Sequence, residues 1–91
     1  MVSIVPNRSS IEGVVCSIQP NLDLKGYIVL ELALSCSVNV EDYFNLAKAD
    51  EGSIIRINVK ADHLDSQLKP GDTFSGDIRK APGHVYFLQE T

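Results

Sequence analysis

The sequence contains few cysteines, and the two present favour neither a disulfide scaffold nor a cysteine-based metal site. The spacing of Cys16 and Cys36 fits neither a metal motif nor a redox motif. Both lie on the apolar phase of a predicted strand, where a thiol packs as a small hydrophobic group. We therefore expect two reduced cysteines in the core, without the accessible thiolate that nucleophilic chemistry requires.

A long apolar run is also missing. The most apolar segment, residues 27–34, is interrupted by Glu31 and is far too short to cross a bilayer. Residues 1–6 show neither the basic region nor the apolar stretch of a signal peptide. We expect a cytoplasmic protein that makes no membrane contact.

Positive charge is scarce, because the chain has 8 Lys and Arg against 12 Asp and Glu, a net charge of −4. Residues 1–52 carry three basic and seven acidic side chains, whereas residues 53–91 carry five of each. An acidic protein binds phosphate backbones poorly as a whole. Any nucleic-acid site must therefore be a local basic face.

Motifs for catalysis or metal binding are absent as well. The run Asp62-His63-Leu64-Asp65 places carboxylates beside a histidine, but no further ligand follows at metal spacing, and such a run is typical of a solvated helix start. The glycines at 71, 76 and 83 do not form a phosphate-binding loop before a helix. We expect no enzymatic activity, no cofactor, no metal and no catalytic residue.

The strongest positive signal is strict alternation of apolar residues over residues 28–40, which predicts a long, half-buried strand. An apolar series with the same period precedes it, and turn residues at 20–26 separate the two. In the self-consistent hairpin, Ile18 faces Ile28, Cys16 faces Leu30 and Val14 faces Leu32. A bulge at Gly13 would return Ile11 to the core side.

The second half predicts three further strands. Residues 53–60 alternate, residues 74–78 follow a sharp turn, and residues 85–89 follow a type II turn at 81–84. Residues 62–68 favour one or two helical turns. Residues 41–52 fit a short helix or an irregular crossing, with a short strand as the alternative.

Together these elements predict an all-β protein: a small five-stranded OB-like Greek-key barrel with one or two short helical segments. An SH3-like barrel is the alternative, because the sequence does not fix the strand order. Residues 1–9 form an N-terminal arm, and residues 10–91 form a single domain. The predicted core comprises Val14, Cys16, Ile18, Ile28, Leu30, Leu32, Leu34, Ile55, Ile57, Val59, Leu68, Phe74, Ile78, Val85 and Phe87.

Three local segments resemble the second half of nucleic-acid-binding OB domains like those of replication protein A. They are Glu51-Gly52 with the strand that follows, residues 62–68, and Leu68-Lys69-Pro70-Gly71-Asp72 before the fourth strand. The resemblance covers about residues 50–89 and lies in spacing more than in residue identity. It implies an OB fold and binding of single-stranded DNA or RNA without catalysis.

In that family the ligand crosses strands two and three, flanked by the loops that join strands one to two and four to five. A single strand needs cations for its phosphates and flat rings on which its bases stack. Solvent-facing strands also carry such residues for solubility alone, and Glu31 on this face opposes a phosphate partner. If the last hairpin is centred on Pro82-Gly83, Arg79 lies opposite Tyr86. The candidate nucleic-acid-binding residues are Tyr27, Arg56, Asn58, Lys60, Arg79, Lys80, His84 and Tyr86.

A protein-interaction role is the alternative function. Val29, Ile54 and Leu88 are predicted to face outward, and a patch formed by all three would be covered by a partner protein or a second copy of the chain. Clustered basic and aromatic side chains favour nucleic acid, whereas clustered aliphatic ones favour protein.

Overall fold

The predicted alternation corresponds to five strands in a computed structural model, which describes residues 7–64, 67–83 and 85–89. Two three-residue 3₁₀ turns, Lys48–Asp50 and Ala61–His63, are the helical elements of these residues. Neither turn is long enough to span a membrane. The strands are β1 Ser9–Pro20, β2 Tyr27–Asn39, β3 Ile54–Lys60, β4 Thr73–Ala81 and β5 Val85–Leu88.

The strands close into a barrel in the order β1-β2-β3-β5-β4, with β4 pairing back onto β1. The β3–β5 pair is parallel and every other pair is antiparallel. This order confirms the predicted all-β, five-stranded OB-like barrel. It also fixes the strand order that the sequence left open.

The barrel interior is filled mainly from the alternating strands β2 and β3. Ile18, Leu68 and Phe74 of the predicted core lie partly buried against this centre. Of the predicted core residues, those that are buried are Leu30, Leu32, Leu34, Ile55, Ile57, Val59 and Ile78. Four buried apolar residues were not in the predicted core, namely Ile11, Val15, Ala47 and Tyr86.

The predicted β1–β2 register is wrong, by two residues at Ile18 and by one at Val14, which lies opposite Ala33. Ile18 lies opposite Leu30 and not Ile28. The partner of Ile28 is Pro20, so the connecting loop spans residues 21–26. The amide oxygen of Asn21 accepts hydrogen bonds from the backbone of Asp23 and Leu24 at 2.9 and 3.0 Å. This side-chain turn closes a loop that is shorter than the sequence pattern predicted, because Gln19 and Pro20 still belong to β1.

Two register shifts change which side chains face the core. Val15 and Ser17 of β1 pair with the adjacent residues Leu32 and Glu31 of β2, so Cys16 between them has no partner on β2. On β2 the residue without a partner is Ser35. As a consequence Cys16 is exposed and Val14 is 42% exposed, so placing both in the core was wrong.

The shift in β2 has the same effect on the end of that strand. Leu34 is buried, but Ser37 rather than Cys36 is the next buried residue. Cys36 is exposed, and Val38 is 58% exposed, so the expectation of two core cysteines is overturned. The glycine bulge was partly right, since Ile11 does reach the core, although the extra residue lies in β2.

Residues 41–52, where the sequence favoured a short helix or an irregular crossing, form an irregular crossing with one 3₁₀ turn, and the side chain of Asn45 anchors it. The Asn45 amide oxygen accepts hydrogen bonds from the hydroxyls of Ser9 and Ser37 at 2.7 and 2.6 Å, and its nitrogen donates to Asn39. Within the crossing, Ala47 is fully buried and belongs to the hydrophobic core. In the segment predicted at 62–68, the structure shows one 3₁₀ turn; residues 65 and 66 lie outside the described residues.

The described part of the N-terminal arm is attached to the barrel. Asn7 exchanges two side-chain hydrogen bonds with the backbone of Lys80. Arg8 lies 2.7 Å from the carboxylate of Asp77. These contacts tie the arm to β4.

Candidate nucleic-acid interface

The outer face of β2 and β3 brings together residues that the sequence predicted as a site. Tyr27 is opposite Lys60, and Asn58 is two positions before Lys60 on β3. Alternation turns these side chains outward, because their neighbours Ile57 and Val59 point into the core. The face therefore carries a ring and a cation side by side.

Strands β5 and β4 extend this face. Phe87 is the β5 partner of Asn58, and Arg79 is opposite Phe87 on β4. The prediction that Arg79 faces Tyr86 was wrong, because Lys80 pairs with Tyr86 and the connection between the two strands is one residue longer than predicted. Phe87 was assigned to the core but points outward, and only the length of this connection would have revealed it.

Four side chains form what we call the outer cluster: Tyr27, Lys60, Arg79 and Phe87. The rings of Tyr27 and Phe87 meet edge to face, with centroids 6.0 Å apart. The guanidinium carbon of Arg79 lies 4.9 Å from the centre of the Phe87 ring. No carboxylate of the described residues lies within ion-pair distance of Lys60 or Arg79.

Two adjoining clefts make a groove across this face. The first, of about 290 Å³, is lined by the outer cluster together with Asn58, Leu88 and Gln89. The second, of about 420 Å³, lies under the β1–β2 loop and includes Val29, Arg56 and Asn58. Asn58 lines both clefts, so they lie side by side on this face, and we call the two together the groove.

Asn58 lies at the base of the groove and links the β1–β2 loop to β5. It is only 8% exposed, although it lies on the outward phase of β3. Its amide oxygen accepts a hydrogen bond from Asn21 at 2.7 Å, and its nitrogen donates to the Tyr86 carbonyl at 3.2 Å. Since both ends of the amide are engaged, its role here is to fix the β1–β2 loop on the sheet.

Arg56 lies on the predicted face, but a neighbouring acid offsets its charge. Its Nε lies 3.7 Å from the carboxylate of Glu31, the residue opposite it on β2. The same carboxylate accepts a hydrogen bond from the hydroxyl of Ser17. Arg56 therefore supplies less positive potential to the groove than Lys60 or Arg79.

Tyr86 and Lys80 do not belong to this face. Tyr86 points inward, is 4% exposed and donates a hydrogen bond from its hydroxyl to Asp50. The Lys80 ammonium lies 3.8 Å from Asp50 and 5.3 Å from the Tyr86 ring. Burial, then the hydrogen bond to Asp50 and its charge, raises the pKa of Tyr86 above its ordinary value.

The structure thus divides the predicted residues. Tyr27 and Lys60 meet Arg79 in the outer cluster. Arg56 and Asn58 line the adjoining cleft. Lys80 and Tyr86 lie beside Asp50 in a different cleft. His84 lies outside the described residues. Among residues 7–64, 67–83 and 85–89, no three His, Cys, Asp or Glu side chains are grouped to hold a metal ion.

The fold and groove define a small OB-like β-barrel with an outward-facing aromatic and basic cluster. Comparisons with known protein families, with curated proteins and with solved structures find no significant match to this chain.

Proposed function

We propose that this barrel binds single-stranded nucleic acid along the groove, without catalysing a reaction. The observation that supports this most is the outer cluster, where Lys60 and Arg79 lie beside the ring of Tyr27 and form no ion pair with a carboxylate of residues 7–64, 67–83 and 85–89. Cations that follow a backbone and rings on which bases stack are what sequence-tolerant binding of a single strand requires.

The local charge limits the strength of binding. Two cations that have no ion-pair partner in the described part of the chain, on an acidic protein, support contact with at most about two phosphates. For single strands, the logarithm of the affinity falls with the logarithm of salt concentration with a slope of about −0.7 per phosphate. We therefore expect a slope no steeper than about −1.4 and weak binding that is strongest at low salt.

Fluorescence anisotropy of labelled single-stranded DNA and RNA across a salt series tests this function. The double variant Lys60→Glu/Arg79→Glu should lose binding. Its matched control is Lys48→Glu/Lys69→Glu, which changes the net charge equally at two exposed residues outside the groove lining. Arg56→Glu should weaken binding less than either change in the outer cluster, because Glu31 already offsets its charge.

Two results would contradict the proposal. One is an absence of binding to either oligonucleotide at low salt. The other is an equal loss of binding in the groove variant and the control variant, which would show that net charge alone, and not this face, governs the interaction.

A second candidate function is association with a protein, which the exposed apolar side chains favour. Phe44 is 62% exposed and Ile54 is 61% exposed. Of the three residues predicted to face outward, Ile54 is exposed, whereas Val29 and Leu88 are half-buried and line the two clefts. Molar mass measured by light scattering over a range of concentrations tests self-association, which Ile54→Ser or Phe44→Ser should reduce.

A further inference from the structure

Arg79 and Phe87 form a cation–π pair on the outer face of the barrel. They are directly opposite each other on antiparallel strands β4 and β5, and the guanidinium lies 4.9 Å from the ring centre. Phe87 is half-buried and also contacts the ring of Tyr27, whereas Arg79 is exposed. The Phe87 ring therefore lies against one side of the guanidinium, and Arg79 itself lines the groove.

This geometry orders the Arg79 side chain in the protein without a ligand. The backbones of both strands are fixed by the closed sheet, and Phe87 is held between Arg79 and Tyr27. A side chain that is already ordered loses little conformational entropy when a ligand binds. A guanidinium is also planar, stacks on aromatic faces and is less strongly hydrated than an ammonium group.

We propose that Arg79, supported by Phe87, is the platform on which a nucleobase stacks in the groove. The base would lie on the exposed plane of the guanidinium, so that base, guanidinium and Phe87 ring form three layers. Lys60, across the same cleft, would neutralise the adjoining phosphate. This inference rests on the proposed function and assigns stacking to an arginine and a phenylalanine where the sequence indicated two tyrosines.

Charge and stacking can be separated at this position. Arg79→Lys preserves the positive charge but removes the planar group, so a stacking role predicts about five- to tenfold weaker binding with an unchanged salt slope. A purely electrostatic role predicts wild-type affinity. Phe87→Leu removes the supporting ring and leaves every charge in place, and it should weaken binding to a similar extent.

A direct optical signal accompanies the affinity measurement. An oligonucleotide that carries 2-aminopurine should change its fluorescence when the modified base stacks on the wild-type protein, and this change should be smaller with Arg79→Lys at saturation. Phe87→Tyr keeps a ring under the guanidinium and should restore both signals. Chemical denaturation of each variant shows whether the half-buried position 87 tolerates the change; Arg79→Lys, at an exposed residue, provides the test if Phe87→Leu is unstable.

The outcomes separate the two proposals. If the wild-type protein binds no oligonucleotide, the proposed function and the platform both fail. If it binds, and Arg79→Lys keeps wild-type affinity and the full fluorescence change, the groove binds nucleic acid through charge and the platform is overturned.

Discussion

The hydroxyl of Tyr86 donates a hydrogen bond to the carboxylate of Asp50, which lies 36 positions earlier in the chain. The contact joins β5 to the turn that ends the irregular crossing. Lys80, 3.8 Å from the same carboxylate, gives Asp50 a second partner. The three side chains therefore fasten the crossing to one end of the barrel.

This contact predicts a loss of stability at alkaline pH. The pKa of Tyr86 is raised in the folded state, above the ordinary value near 10 that it has when unfolded. Below that value both states hold the proton, and above it the unfolded state releases it first. The free energy of unfolding should then fall, by at most about 1.4 kcal/mol per pH unit for this one group.

Urea denaturation between about pH 9 and about pH 11 measures this effect, with Tyr86→Phe as the test variant. The variant should be about 1 kcal/mol less stable at neutral pH, since it loses the hydrogen bond, and its deficit should shrink at high pH. Tyr43→Phe, at an exposed tyrosine, is the control and should follow the wild type. A deficit for Tyr86→Phe that is constant with pH would contradict the assignment.

Because β1 and β2 approach closely at Gly13, we expect any side chain at this position to reduce the stability of the fold. A Cβ at Gly13 would clash with the backbone carbonyl oxygen of Ala33 and would lie 2.9 Å from Cγ of Leu32. Gly13→Ala should therefore cost about 2–3 kcal/mol through separation of the strands. At Gly76 the nearest atom is the end of the Leu88 side chain, 3.3 Å away, so Gly76→Ala should cost less than about 1 kcal/mol. Thermal unfolding compares the two, and equal losses would refute the argument.

The same strand pair shows where sequence periodicity predicts structure and where it does not. Alternation placed Leu30, Leu32 and Leu34 inside correctly, because a regular strand turns every second side chain to one face. It failed at Cys36, because the unpaired Ser35 reverses the phase. That bulge depends on the fit of two strands, which a pattern within one strand does not contain.

The crossing segment predicts a dependence on one amide oxygen. Ser9 and Ser37 are 2% and 5% exposed, and both donate their hydroxyl hydrogens to Asn45. Asn45→Ala would leave two buried donors without an acceptor and should cost about 2 kcal/mol or more. Asn45→Asp keeps the acceptor and loses only the bond to Asn39, so it should cost less than about 1 kcal/mol. If both variants lose equal stability in urea denaturation, the shared acceptor is not what secures the crossing.

The candidate site was predictable to the extent that it depends on neighbouring strands. Tyr27 and Lys60 could be placed on one face because β2 and β3 both alternate, and the structure pairs them. Phe87 was missed because a connection of three residues, and not two, sets which β5 side chains face outward. The burial of Tyr86 depends equally on that connection, and its contact with Asp50 arises only from the closed barrel.

The bulges lead to a last prediction, about thiol reactivity. Both cysteines are exposed on the outer wall of the barrel because Cys16 is the unpaired residue of β1 and Cys36 follows the unpaired Ser35 of β2. A water-soluble aromatic disulfide reagent should therefore modify two thiols in the native protein, and denaturant should reveal no more. Cys16→Ser and Cys36→Ser should each remove one thiol and change stability by less than about 0.5 kcal/mol, as surface substitutions usually do. Thiols that react only after unfolding would instead place both side chains in the core, and the register of β1 against β2 would have to be redrawn.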